Sequence, residues 1–126
     1  MPLPIVMRDI VLDGESLKIR DVVETGLGGT TVYLSNNARK RMEISRLGID
    51  HILVSGETTY GINTGFGALS SVSIESDKLE ALQVNLIRSH ACGIGEEMEN
   101  KHTLMMMLIR ANTCLLYTSP SPRDIT

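Results

Sequence analysis

The sequence predicts a mainly α-helical fold with short β-strands near its N-terminus. Three observations carry that prediction. Apolar residues recur at spacings of three and four over about residues 36–54, 77–91 and 99–113, the pattern of helices with one buried face. Strand-like runs, alternating or β-branched, occur only over about residues 9–13 and 31–34. Glycines at 26, 28 and 29, at 56, and at 93 and 95 separate these stretches, as chain breaks between elements should.

Taken in order, Asp9 to Asp13 alternate and Gly14 marks a turn. Residues 17–25 can form a short helix with Ile19, Val22 and Val23 on one side. Thr31 to Leu34 read as a second short strand. Ser35 is a good N-cap for the first long helix, because its hydroxyl can accept an orphan amide of the first turn. Ala38, Met42, Ser45, Ile49, Ile52 and Leu53 form that helix's apolar stripe, and Gly56 closes it. Gly48 inside the stripe costs about 1 kcal/mol relative to alanine. Ser76 is expected to cap the next helix, which carries Leu79, Leu82 and Leu86 on one face and His90 at its end. The last helix is expected to turn Leu104, Met107, Leu108 and Ala111 inward, with Met105 to Met107 as a packing run.

Composition excludes several functions. The 126 residues are 42% hydrophobic and 21% charged, ordinary for a globular chain. A net charge of −3 with interspersed signs offers no basic face for a phosphate backbone. With 3% aromatic residues and no Trp, base stacking is not expected. No apolar run approaches the roughly 20 residues that span a bilayer, and residues 1–8 lack the charged start and long apolar core of a secretory signal. Cys92 and Cys114 show neither metal-ligand spacing nor a disulfide framework. A cytoplasmic protein without metal, membrane or nucleic-acid partner is therefore expected.

The chemistry concentrates in Thr59 to Leu69, TYGINTGFGAL. Its glycines 61, 65 and 67 allow positive φ and close approach of a ligand to backbone amides. A phosphate loop would need G-x-x-x-x-G-K-[ST], and no lysine follows. From spacing alone, a flexible surface loop is the favoured description. Asn63 and Thr64 can hydrogen-bond across it. His51 and His102 fit no functional pattern, and Cys92 has no partner base in the sequence.

The run Tyr60-Gly61-Ile62-Asn63-Thr64-Gly65-Phe66-Gly67 resembles the signature loop of the aromatic amino acid ammonia-lyases, which use a methylidene-imidazolone electrophile. Leu82 to Glu96 is similar to the same family's LQ-x-NL-xx-SHA-x-G-x-GE segment, and Arg110-Ala111-Asn112-Thr113 to its R-x-N run. Leu34-Ser35, Ala38 and Ser45-Arg46 fit its first long helix. The resemblance spans about residues 10–113.

What it implies is the N-terminal portion of a fumarase/aspartase-like ammonia-lyase fold, from an enzyme that assembles as a homotetramer. Its electrophile forms autocatalytically from an Ala-Ser-Gly triplet, which this sequence does not contain, so the stretch alone is expected to be inactive. By the same resemblance Tyr60 is the base. A free tyrosine titrates near about 10, so a working site must lower it by charge or hydrogen bonds. Gly67 and His90 are implied to contact the substrate. The Ser89-His90 pair is similar to that of histidine ammonia-lyases, whereas tyrosine lyases tend toward His-Leu and phenylalanine lyases toward Phe-Leu. The implied parent reaction converts L-histidine to trans-urocanate and ammonia. A tyrosine or phenylalanine lyase, an aminomutase, and a non-catalytic fragment that binds full-length subunits remain open beside it. Arg110 and Asn112 are expected to steady the turn toward the electrophile-forming segment.

After Thr113 the character changes, to CLLYTSPSPRDIT. Pro120 and Pro122 cannot continue a helix. The division expected is residues 1–113 as an incomplete ammonia-lyase domain and 114–126 as a tail. That tail resembles the translation of a cloning adapter and is expected to be non-native; composition alone also allows a natural disordered tail.

Overall fold

The computed structural model describes residues 7–116. They form, in order, β1 (Arg8–Leu12), α1 (Ile19–Gly26), β2 (Thr30–Leu34), α2 (Asn36–Ser55), α3 (Leu79–His90) and α4 (Asn100–Leu116). Short 3-10 turns lie at Gly67–Leu69 and Ser76–Lys78. The mainly helical fold with two early strands is thus observed. The chain divides into one unit of Met1–Ser45 with Glu97–Thr126, and a second of Arg46–Glu96.

In the first unit β1 and β2 pair in parallel, with Arg8 opposite Thr30 and Leu12 opposite Leu34. Parallel neighbours need a crossover rather than a hairpin, and α1 provides it. Strand alternation sends Ile10 and Leu12 inward and leaves Val11 exposed. Ile10 and Leu12 form the core with Ala38, Leu108 and Leu115, flanked by Leu17, Val22 and Leu34.

Polar contacts fix the connections. The Asp13 carboxylate accepts the Glu15 and Ser16 amides at 2.8 Å each and the Ser16 hydroxyl at 2.7 Å, around Gly14 at φ 91°. Helix α1 ends as a Schellman motif: Gly29 N–H reaches Glu24 O at 3.0 Å and Gly28 N–H reaches Thr25 O at 3.0 Å. Gly28, at φ 77°, occupies the left-handed position that motif requires. Ser35 caps α2 as expected, its Oγ accepting the Ala38 amide at 3.0 Å. The helix then runs unbroken through Gly48 to Gly56, whose φ is 71°.

Three helix details differ from expectation. Ser76 caps nothing: it opens a 3-10 turn, and Lys78 occupies the α3 N-cap without a side-chain capping bond. Of the three apolar residues expected to share one side of α1, only Val22 is drawn in, half-buried, while Ile19 and Val23 are exposed. The buried face of α4 is half-buried Met105, buried Leu108, half-buried Asn112 and buried Leu115, with Leu104, Met106, Met107 and Ala111 exposed. The helix is apolar on most sides from Leu104 to Ile109, so periodicity could not choose its face. Docking against α1 chose it. A Cβ on Gly26 would collide with Met105, meeting its Cγ at 2.8 Å, and would lie 3.0 Å from the Lys101 carbonyl oxygen. The missing side chain is what permits this approach. Helix α4 also passes the compositional break at Thr113 and ends at Leu116; residues 117–126, with both tail prolines, lie outside the described residues.

An ion-pair network joins β1 to α1. Arg8 bonds Asp21 at 2.5 Å and Glu24 at 2.7 Å, and Arg20 bonds Glu24 at 2.6 Å. The Asp21 carboxyl is held below its ordinary range by Arg8 first and the Lys18 amide next, and Glu24 by Arg20 and then Arg8. Asp13 falls furthest, from the ordinary 3.8 to about 2, through the Ser16 hydroxyl and the two amides.

Two outcomes follow for this unit. Gly26→Ala overpacks the α1–α4 contact and costs about 1–3 kcal/mol, read as a lower thermal midpoint; an unchanged midpoint contradicts so close an approach. Asp13 contributes stability that is present above its ordinary 3.8 and fades as pH falls toward about 2. Acid titration of unfolding should therefore show a shallower slope in that window for Asp13→Asn than for the parent chain.

Candidate active site

All three residues singled out for chemistry, Tyr60, Gly67 and His90, belong to the Arg46–Glu96 unit. The loop between α2 and α3 carries the first two. It is not loose. Asn63 and Thr64 are buried, at 5% and 0% exposure, while Tyr60 between α2 and them is 64% exposed. The Asn63 carboxamide accepts the Thr59 amide at 2.8 Å and donates to the Glu57 carbonyl at 2.8 Å. The Asn63 backbone carbonyl accepts Ile74 N–H at 2.8 Å. Thr64 Oγ1 accepts Gly61 N–H at 3.2 Å and donates to the Gly65 carbonyl at 3.0 Å. Gly65 N–H reaches Val72 O at 3.2 Å, and Thr64 pairs with Ser73 in an antiparallel bridge. The expectation that Asn63 and Thr64 bond across the loop is met.

Each glycine here has a different task. Gly61 and Gly67 adopt φ of 76° and 57°, which side chains other than glycine rarely tolerate. A Cβ on Gly65 would lie 2.6 Å from Leu69 Cβ, so that position is filled by the loop itself. A Cβ on Gly67 would meet nothing within 4 Å. Gly67 thus presents exposed backbone beside open space, and a Cβ on Gly61 would also find open space.

Tyr60 projects from the clamped base. Its ring meets Phe66 edge-on, with centroids 5.9 Å apart and planes at 77°, the favoured arrangement for two aromatic rings. Among the described residues the Tyr60 hydroxyl has no hydrogen-bond partner. Phe66 was not singled out from the sequence; the signal available was that two of only four aromatic residues lie in one eight-residue run. Gly61 and Ile62 also line a cavity of about 570 Å³ with Arg46, Ile49, Leu53, Leu79, Glu80 and Gln83.

His90 ends α3 and is exposed. Its Nδ1 lies 2.8 Å from the Leu86 carbonyl oxygen and 3.0 Å from Ser89 Oγ, and the Ser89 hydroxyl donates to the same carbonyl at 2.8 Å. The ring's other nitrogen is left to solvent or ligand. Ser89 is therefore turned back onto its own helix. Among the described residues no hydrogen bond links His90 to the Tyr60 loop. Cys92 is exposed. Neither His51 nor His102 is buried.

In the other unit Asn112 is half-buried, with its Oδ1 fully enclosed and without a partner among the described residues. Such an acceptor costs about 1–3 kcal/mol, which a donor from beyond the described residues would recover. Arg110 is exposed on the same helix. No helix of the described residues is long and apolar enough to cross a membrane.

Against known proteins, the sequence profile described as Aromatic amino acid lyase matches residues 17–120. A histidine ammonia-lyase of Treponema denticola is 46% identical over 85% of this chain and 21% of its own length. The crystal structure of histidine ammonia-lyase from Trypanosoma cruzi superposes with a TM-score of 0.77 at 39% identity, over 86% of this chain and 21% of that one. A tyrosine aminomutase from Streptomyces globisporus gives a TM-score of 0.80 at 26% identity, over 86% and 20%. The chain spans about a fifth of the length of the curated relatives it matches. With the signature loop, the Ser-His helix end and the profile agreeing over most of its length, the chain belongs to the aromatic amino acid lyase family.

Proposed function

We propose that this segment supplies one wall of the active site of a histidine ammonia-lyase, whose reaction eliminates ammonia from L-histidine to give trans-urocanate. The observation that carries this reading is the Ser89-His90 pair at the exposed end of α3, an imidazole offered to solvent, in a chain 42–46% identical to relatives named for that activity.

The elimination removes a poorly acidic proton from Cβ while the Cα–N bond breaks and the double bond forms. Tyr60, as the phenolate, takes the Cβ proton on its oxygen. What supports the role is its place in the signature loop and a side chain exposed on a loop whose base is clamped by Asn63 and Thr64; the charge or hydrogen bond that activates it would come from outside this segment. Gly67 lets the substrate lie against backbone, and His90 receives the substrate ring. Methylidene-imidazolone, formed from an Ala-Ser-Gly triplet that this sequence does not contain, supplies the electron sink for the amino group. Arg110 and Asn112 lead toward the segment that would hold it.

In this reading the parent enzyme is a cytoplasmic homotetramer that requires no metal. Exposed apolar side chains on α2 and α3, among them Ile44, Leu47, Val54 and Ile87, support burial against further helices. The structural likeness to tyrosine aminomutase favours one second reading, in which the amino group is returned to Cβ. Product analysis separates the two, since a β-amino acid rather than urocanate would accumulate. The break in composition at Cys114 is read as the start of a sequence foreign to the parent enzyme, although its first residues still extend α4 to Leu116 and Leu115 packs in the core.

In the full-length enzyme, Tyr60→Phe should lower kcat by about 10²–10⁴-fold with the fold unchanged by circular dichroism, and full turnover would exclude Tyr60 as the base. Given L-histidine, the 126-residue chain alone should release no ammonia. Sequencing the parent transcript past Thr113 should reveal a continuing frame with an Ala-Ser-Gly triplet. A frame that truly ends in the present tail would remove the catalytic reading.

A further inference from the structure

The hydrogen bonds around His90 specify more than its position, and what they specify rests on reading His90 as a substrate-binding residue. Three polar atoms converge at the end of α3: His90 Nδ1 and Ser89 Oγ each lie 2.8 Å from the Leu86 carbonyl oxygen, and 3.0 Å from one another. A carbonyl oxygen can only accept. If Nδ1 carried a lone pair, two acceptors would face each other at 2.8 Å, which is repulsive. The proton therefore sits on Nδ1 and is donated to Leu86. The reverse arrangement, with the Ser89 hydroxyl donating to a bare Nδ1, keeps that repulsion and also withdraws the serine from its carbonyl.

A neutral imidazole has one ring proton, and the nitrogen that lacks it is an acceptor. With the proton on Nδ1, Nε2 is that acceptor, and His90 is exposed. We propose that the Leu86 carbonyl and Ser89 hold His90 as the Nδ1–H tautomer, so that it reads its ligand through an Nε2 acceptor. The site then takes an amino acid whose ring offers an N–H donor, and rejects rings of the same size and shape that lack one. His90 is the discriminating residue, and Ser89 and the Leu86 carbonyl are positioning groups that act through it. A ring without the donor would leave Nε2 desolvated and unpaired, the kind of loss on which polar sites discriminate most strongly.

The test uses the full-length enzyme and two histidine isosteres as competitive inhibitors: 3-(pyrazol-3-yl)alanine, which has a ring N–H, and 3-(thiazol-4-yl)alanine, which has none. The pyrazole should inhibit at least about 10-fold more tightly, and His90→Leu should close that gap by weakening the pyrazole alone. Nitrogen NMR of enzyme labelled only at histidine, with the His90 signals identified by their loss in His90→Gln, should place the ring proton on Nδ1. Equal inhibition by the two isosteres in the parent enzyme, or a proton on Nε2, overturns the proposal. An enzyme that turns over tyrosine or phenylalanine and ignores histidine instead sinks the histidine reading, and the NMR spectrum still decides the tautomer.

Discussion

Asn63 accepts one backbone amide and donates to one backbone carbonyl, both at 2.8 Å, from a position that is 5% exposed. With these two bonds the chain from Glu57 to Thr59 is folded back onto the residue that follows Ile62. Thr64, fully buried, does the same for Gly61 and Gly65. A buried amide is stable only when its donor and acceptor are both used, so the side chain dictates the path of the loop around it. Once that path is fixed, Tyr60 must project outward, Phe66 must return beside it, and Gly67 must present backbone. Exposed residues are thereby held by buried ones, which is how a loop can be both accessible and ordered.

The Met1–Ser45 and Glu97–Thr126 unit has a different organising constraint. Two parallel strands cannot be joined by a tight turn, so α1 has to cross over between them, and something has to cover the strand face it leaves. The residues that do so, Leu108 and Leu115, arrive from the far end of the sequence. Their approach is possible because Gly26 has no side chain where α4 passes. The Schellman ending just after Gly26 then turns the chain into β2.

Each unit also leaves polar atoms without a hydrogen-bond partner among the described residues: the enclosed Asn112 Oδ1 in one, and the Tyr60 hydroxyl and His90 Nε2 in the other. The chain spans about a fifth of its relatives' length. These groups lie in elements that the signature sequences specify strongly.

Local chemistry made much of this legible in the sequence. The Ser35 cap, the Gly14 and Gly56 turns, the two strands and the extents of α2 and α4 to within a few residues depend on interactions a few positions apart, which one stretch of sequence contains. The Tyr60 loop and the Ser89-His90 pair were legible through resemblance, because their spelling is specific even where their spacing is not. What only the tertiary structure decided was direction. Helix α4 is apolar on most sides, and the choice of Met105, Leu108 and Leu115 as its inner face was made by α1 and Gly26, some eighty residues earlier in the chain. Ser76 lost its expected capping role to a 3-10 turn that periodicity does not register. The partner of His90 is a backbone carbonyl, present at every residue and so invisible in sequence until the helix end fixed which one the imidazole reaches.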